Sequence, residues 1–216
     1  MEASHLATLD AFVQRTTPVL VAAHARPIDD LETSGHRYIV AQDGVYAQVR
    51  RAWCRGAVQV SRAAAPLPFG PQETSVRFAC GRVPASLVAQ FLELARLASP
   101  MEVAAWITWR APPDGQQVGQ WALRRLNSID ASGAHVVFDR PLLEADEHLV
   151  VDIHSHGLHD AHFSHTDDSD DADVSIVKIA AVIGRVTGEP NTAMRLCAAG
   201  VSHHFGELHE ILDASR

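Results

Sequence analysis

Four residues in one stretch have the types and spacing to hold and use a metal ion: His154, His156, Ser164 and Asp167. The stretch 152–167 carries five of the thirteen histidines. It follows the apolar run Leu149-Val150-Val151-Asp152-Ile153 and precedes a burst of aspartates. Side chains two apart on a strand share a face, so both imidazoles can meet one ion while Ser155 points the other way. Asp167 lies eleven residues after His156, enough chain to fold a carboxylate back to the same point. Two imidazoles and one carboxylate leave one position open on a tetrahedral zinc, the arrangement of catalytic and not of structural sites. Water at such a position has its pKa lowered to about 7.

A hydrolytic zinc site also needs a carboxylate to carry protons. Glu102 is the candidate. It follows a proline-terminated helical segment and opens an apolar strand, where an acidic residue is unexpected if the strand is only core. Its plainer reading is a solvated strand end. Ser164 and Asp167 have a plainer reading too: S-x-x-D is a helix-capping pattern, with Ser164 as the cap. That reading is compatible with ligation, because a cap fixes where Asp167 points. Aspartates 167, 168, 170 and 171 also suit the positive end of a helix dipole. His159, His162 and His165 read as solvated loop residues, with His159 or His162 able to reach a substrate, and His203-His204 as a surface pair.

The elements that must position these residues are a mixture. Leu6, Leu9, Phe12 and Val13 suggest a helix, which Pro18 ends, and Val19-Leu20-Val21 begins a strand. Tyr38-Ile39-Val40 and Val45 to Val49 around Asp43-Gly44 predict a β-hairpin, and Trp53 to Val60 a third strand. Ala63 to Pro71, with three prolines and a glycine, predicts a linker. Residues 1–75 thus form a small β-rich or α+β N-terminal region, and 76–216 the domain with the chemistry. In the latter, residues 84–99 carry a helical apolar stripe closed by Ser99-Pro100. Strands are predicted over Glu102–Trp109, Val118–Ile129, His135–Phe138, Leu149–Ile153, Ile176–Val186 and Met194–Ala198. An acidic helical turn is expected over 166–173 and a short helix over 206–213. The class is α/β or α+β.

Composition narrows the function. A net charge of −8 argues against a nucleic-acid surface. The charge is uneven, however: Arg50, Arg51, Arg55 and Arg62 gather on a stretch that can meet an acidic protein partner. Lys178 is the single lysine, which reads as composition bias. Three cysteines, Cys54, Cys80 and Cys197, fit neither a disulfide framework nor a zinc finger, and read as buried thiols. The N-terminus lacks a leader pattern and no window is apolar enough to span a membrane, so the expected location is the cytoplasm.

Glu102, then His154-Ser155-His156, seven residues, Ser164, two residues and Asp167 resembles the JAMM motif of the JAB/MPN (Mov34) metallopeptidases, over about residues 84–200. The Asp-Ile-His-Ser-His-Gly and Phe-Ser-His-Thr-Asp-Asp runs and the extra N-terminal segment resemble, more narrowly, proteins of the PRTRC (ParB-related, ThiF-related) cassette. The resemblance implies a JAB/MPN-like, cytidine-deaminase-like mixed curled sheet flanked by helices. It implies Zn2+ on His154, His156 and Asp167, Glu102 as general acid/base, and Ser164 as a donor to the oxyanion. It implies cleavage after the C-terminal tail of a ubiquitin-like β-grasp protein, with a ThiF/E1-like adenylating enzyme as a further partner. Two positions depart from the family pattern. Gly157 replaces a usual proline and is expected to loosen the loop after the ligands; Ala105 replaces a frequent glycine and is expected to tighten the site wall. The alternatives are a non-catalytic binding module and a zinc amidohydrolase acting on a small molecule.

Overall fold

A computed structural model describes residues 11, 14–112, 119–132, 135–204 and 206–213. Most of the N-terminal helical expectation lies outside them; residues 14–16 are helical before Pro18. The first sheet has five strands in the order β1 (Val19–Val21), β2 (Gly35–Ala41), β3 (Gly44–Arg50), β4 (Cys54–Arg62) and β5 (Ser75–Phe78). The β2–β3 hairpin closes on the pair Ala41–Gly44, so its turn is Gln42-Asp43, one residue earlier than the Asp-Gly signal suggests. Gly44 instead begins β3 at φ +149°, where a Cβ would stand 2.0 Å from the Ser61 carbonyl oxygen of β4. The glycine serves the close approach of a neighbouring strand as well as the turn.

The segment predicted as a linker is tied down. Leu67 N donates to Gln42 O at 2.8 Å, and Gly70 N to Ala22 O at 2.8 Å. The chain then returns as β5 to pair with β4. The N-terminal sheet therefore runs to Phe78. It shares one apolar core with the rest: Val49, Trp53 and Val58 pack in the same cluster as Phe91, Ile107, Ile153 and Leu196. Tyr38 Oη donates to Ala199 O at 2.6 Å across the same boundary.

The second sheet has the order β13-β12-β11-β10-β6-β7, from β6 (Ala104–Arg110), β7 (Gln120–Arg125), β10 (Glu147–Ser155), β11 (Lys178–Gly184), β12 (Asn191–Ala198) and β13 (Val201–His203). Strands β10 and β11 are parallel and the other pairs antiparallel. The expected strand over 118–129 divides into β7 and β8 (Ser128–Ser132), because Leu126 turns inward and its N–H bonds Ala104 O at 2.9 Å. β8 pairs with β9 (His135–Phe138) as a separate hairpin.

Period-two alternation gives this sheet two different faces. Ala105 and Ile107, Ile153 and Ser155, Ile179 and Ala181, and Met194 and Leu196 point into the core. Helix α1 (Ala85–Ala98) covers that side, with Phe91 and Ala95 fully buried. Burial of an aromatic such as Phe91 contributes about 1.5–3 kcal/mol. The other face carries Ala104, Trp106, Asp152, His154, Lys178, Ala180 and Arg195. Across that face lies α2 (His165–Asp171), which with α1 and the sheets makes an α+β architecture. The terminal helical turn is 3-10, Leu208–Ile211. No helix among the described residues is long and apolar enough to cross a membrane.

Candidate metal centre

Strand β10 delivers His154 at its end, and His156 follows one residue beyond it, tethered by His156 N donating to Ile183 O at 2.9 Å. Their Nε2 atoms lie 3.3 Å apart. Asp167 arrives from α2 as the third residue of a complete capping box. Ser164 N and Ser164 Oγ each donate to Asp167 Oδ2 at 2.7 Å, and Asp167 N donates to Ser164 Oγ at 3.3 Å. The cap thus occupies one carboxylate oxygen and leaves Oδ1 facing His154 Nε2 at 3.5 Å. The ligand atoms of His154, His156 and Asp167 all lie within 4.8 Å of one another.

This donor set fits zinc. Bonds of about 2.0–2.1 Å at tetrahedral angles separate ligand atoms by about 3.3 Å, close to the 3.3 and 3.5 Å seen. Burial, then the neighbouring His154 and His162, pushes the His156 pKa down and favours the neutral imidazole that a metal requires. His162 Nδ1 stands 3.2 Å from His156 Nδ1 and 3.0 Å from Asp160 O. It is exposed, as expected, yet it touches the ligand from behind. His159 also lines the cleft, whereas His165 is exposed outside it.

Glu102 lines the same cleft of about 710 Å³. Burial pushes its carboxyl pKa up, opposed by His154 and reinforced by Asp167. Its position is fixed by its neighbours. Val103 N donates to the buried Ser155 Oγ at 3.1 Å, and Ser155 N donates to Val103 O at 2.9 Å. The serine between the two histidines therefore clamps the segment that carries Glu102. Gly157 completes the arrangement at φ +55°, where a Cβ would come within 2.6 Å of Pro100 O. The expectation of a loosened loop is corrected here. Gly157 lets the histidine loop lie directly on the Glu102 segment, and its carbonyl accepts from Val186 N at 2.9 Å. Ala105 is corrected likewise: its methyl is in the core, and Ala104 forms the cleft wall.

The helix bearing Asp167 is held by groups that sequence reasoning passed over. Lys178 Nζ contacts Asp152 Oδ2 at 2.7 Å and Asp171 Oδ1 at 2.8 Å. Arg195 Nε donates to Asp171 Oδ2 at 2.8 Å, and its Nη1 contacts Asp168 Oδ1 at 2.6 Å. The Arg195 guanidinium also stacks 3.8 Å over the Phe163 ring. Lys178, Asp171 and Arg195 are all buried. The available signal was a lone lysine opening the wholly apolar run Ile179–Ile183. Ser164 is where the sequence placed it, but its hydroxyl proton is directed at Asp167. Trp106, Leu126 and Phe138 line the apolar half of the cleft.

The family model for prokaryotic homologs of the JAB domain matches residues 84–197, which holds Glu102 and all three candidate ligands. The chain belongs to that family. A second family model, a domain of unknown function (DUF2016), matches residues 7–79, the part that ends with the five-stranded sheet. No curated protein matches the chain. Among solved structures, the solution structure of protein DSY2949 from Desulfitobacterium hafniense is similar at 18% identity and a TM-score of 0.42, covering 61% of this chain and 92% of that one.

Proposed function

We propose that the chain is a zinc-dependent peptidase or isopeptidase that cleaves after the C-terminal tail of a ubiquitin-like β-grasp protein. The observation that carries this reading is the convergence of His154, His156 and Asp167 in a cleft that Glu102 also lines. Zinc, when bound, supplies Lewis acidity to the scissile carbonyl and to the attacking water. Glu102 accepts the proton of that water and returns it to the departing amine as the C–N bond breaks. Burial raises its pKa, the direction that suits a group that must both take and give a proton. Ser164 orients Asp167, and its hydroxyl serves the oxyanion after turning away from Asp167 Oδ2. Trp106, Leu126 and Phe138 offer an apolar wall for the substrate tail. A cytoplasmic PRTRC-type cassette, with a ThiF/E1-like adenylating enzyme, is the setting that provides such a substrate.

The test is cleavage of β-grasp fusions by zinc-loaded protein, wild type against Glu102→Gln. Cleavage by the first and not the second supports the proposal; equal activity, or none in either across the β-grasp tails encoded nearby, ends it. A non-catalytic binding module is the second reading, favoured by the commitment of the Ser164 hydroxyl to Asp167. It predicts no stoichiometric metal, so elemental analysis of untagged protein separates the two.

A further inference from the structure

The first sheet holds a feature that the metal centre does not use. Arg50 pairs with Arg55 across β3 and β4, and Arg55 pairs with Arg77 across β4 and β5. Three arginines therefore stand in one cross-strand row, the placement in which like charges destabilise a sheet. Arg51 follows at the turn, and the four line one pocket of about 390 Å³ with Ser34, Cys54 and Phe78. The ion pairs found among the described residues include none of the four. Arg50 is anchored on Leu31 O at 2.8 Å, and Arg51 on Gly35 O at 2.8 Å and Ser175 O at 3.2 Å. Carbonyls position these guanidinium groups without cancelling their charge. Arg55 and Arg77 are exposed, and their guanidinium groups have no hydrogen-bond or ion-pair partner among the described residues.

From this we infer that the pocket binds a compact polyanion, a small molecule carrying a diphosphate or triphosphate group. The direction of the row decides between anions. It runs across the strands, covering two inter-strand spacings of about 4.8 Å each. An acidic peptide laid along the β5 edge would run parallel to the strands and meet Arg77 alone. A chain of two or three phosphates is more compact than the row, and the long side chains of the two outer arginines can lean inward so that all three guanidinium groups meet it. Guanidinium groups match phosphate oxygens in paired hydrogen bonds. A nucleic-acid strand is disfavoured by the net charge of −8 on the whole chain. The Phe78 ring, stacked on Trp53 at a centroid distance of 6.0 Å, gives the pocket an apolar side for the organic part of the ligand.

The experiment is calorimetric titration of the full chain, stripped of metal, with pyrophosphate. One site per chain is expected, with a tenfold or greater loss in Arg55→Gln and in Arg77→Gln. Both positions are exposed, and circular dichroism checks that each variant is folded. Arg62→Gln, outside the pocket, and His154→Ala, in the metal centre, should bind within twofold of wild type. Absence of binding overturns the inference, as does equal weakening by Arg62→Gln or loss in His154→Ala. Tighter binding of a poly-aspartate peptide or of a single-stranded oligonucleotide than of pyrophosphate overturns it as well.

Discussion

Ser155 Oγ accepts the Val103 N–H at 3.1 Å while Ser155 N returns a bond to Val103 O at 2.9 Å. The residue between two metal-ligand candidates thus fixes the neighbour of the candidate base. Ser155 is fully buried, so Ser155→Ala leaves the Val103 N–H without an acceptor in a dry place. Such a loss costs about 1–3 kcal/mol. Urea unfolding should show that decrease. Zinc titration should show affinity little changed, because neither imidazole is touched, while any cleavage activity falls with the misplacement of Glu102.

Gly157 and Gly81 form a matched pair. Both have positive φ, +55° and +76°, but a Cβ at Gly81 meets nothing within 4 Å and one at Gly157 meets Pro100 O at 2.6 Å. Gly81→Ala should therefore cost only the left-handed backbone penalty, about 1 kcal/mol. Gly157→Ala should cost more and should also weaken zinc binding, since the backbone must shift beside His156. Equal losses in the two variants, measured by thermal unfolding, would show that the contact with Pro100 does not matter.

The motif residues were legible because their relations are local. A two-residue spacing on a strand and a three-residue spacing at a helix start dictate geometry through the backbone alone, and His154, His156, Ser164 and Asp167 took up that geometry. Helix α1 was legible for the same reason, from its stripe and its Ser99-Pro100 stop. Relations that depend on which strands become neighbours were not legible. Lys178 looked like composition until β11 lay beside β10 and set it against Asp152. Arg77 lies far in sequence from Arg50, and only the register of β3, β4 and β5 puts them in one row. The role of Ser155 needed the antiparallel pairing of β6 with β10.

Zinc should stabilise the fold, because the three ligand atoms are gathered only in the folded chain. The gain is about 2.7 kcal/mol at a free zinc concentration of 100 times Kd. His154→Ala, His156→Ala and Asp167→Ala should each abolish the zinc-induced rise in Tm. Ser164→Ala tests the cap separately. It should lower stability by about 0.5–2 kcal/mol without metal, and weaken zinc binding by at least about 10-fold because Asp167 keeps only the residue 164 N–H of the two bonds that orient its carboxylate. An unaltered zinc affinity in Ser164→Ala would refute the orienting role.

Asp171 gives the fold a pH dependence of definite sign. Burial alone pushes its carboxyl pKa up, but the Lys178 ammonium and then Arg195 outweigh burial and hold it below the ordinary value. A carboxyl depressed in the folded state contributes stability that is complete above its unfolded pKa of about 3.9 and is lost as the pH falls through the lower folded value. Asp171→Asn keeps the shape and removes the charge, leaving Lys178 and Arg195 with Asp152 and Asp168 as their remaining partners. Removing one member of a buried pair costs about 3–5 kcal/mol. The loss here should lie near the lower end, about 3 kcal/mol at pH 7, because those two carboxylates remain. Urea unfolding of wild type and variant at pH 7, 5 and 3 measures it. The difference should be the same at pH 7 and 5 and should narrow at pH 3, below the unfolded pKa, where the carboxyl takes up its proton in the unfolded wild-type chain before it does so in the folded one. A difference that persists undiminished to pH 2 would mean that Asp171 acts through its hydrogen bonds and shape and not through its charge.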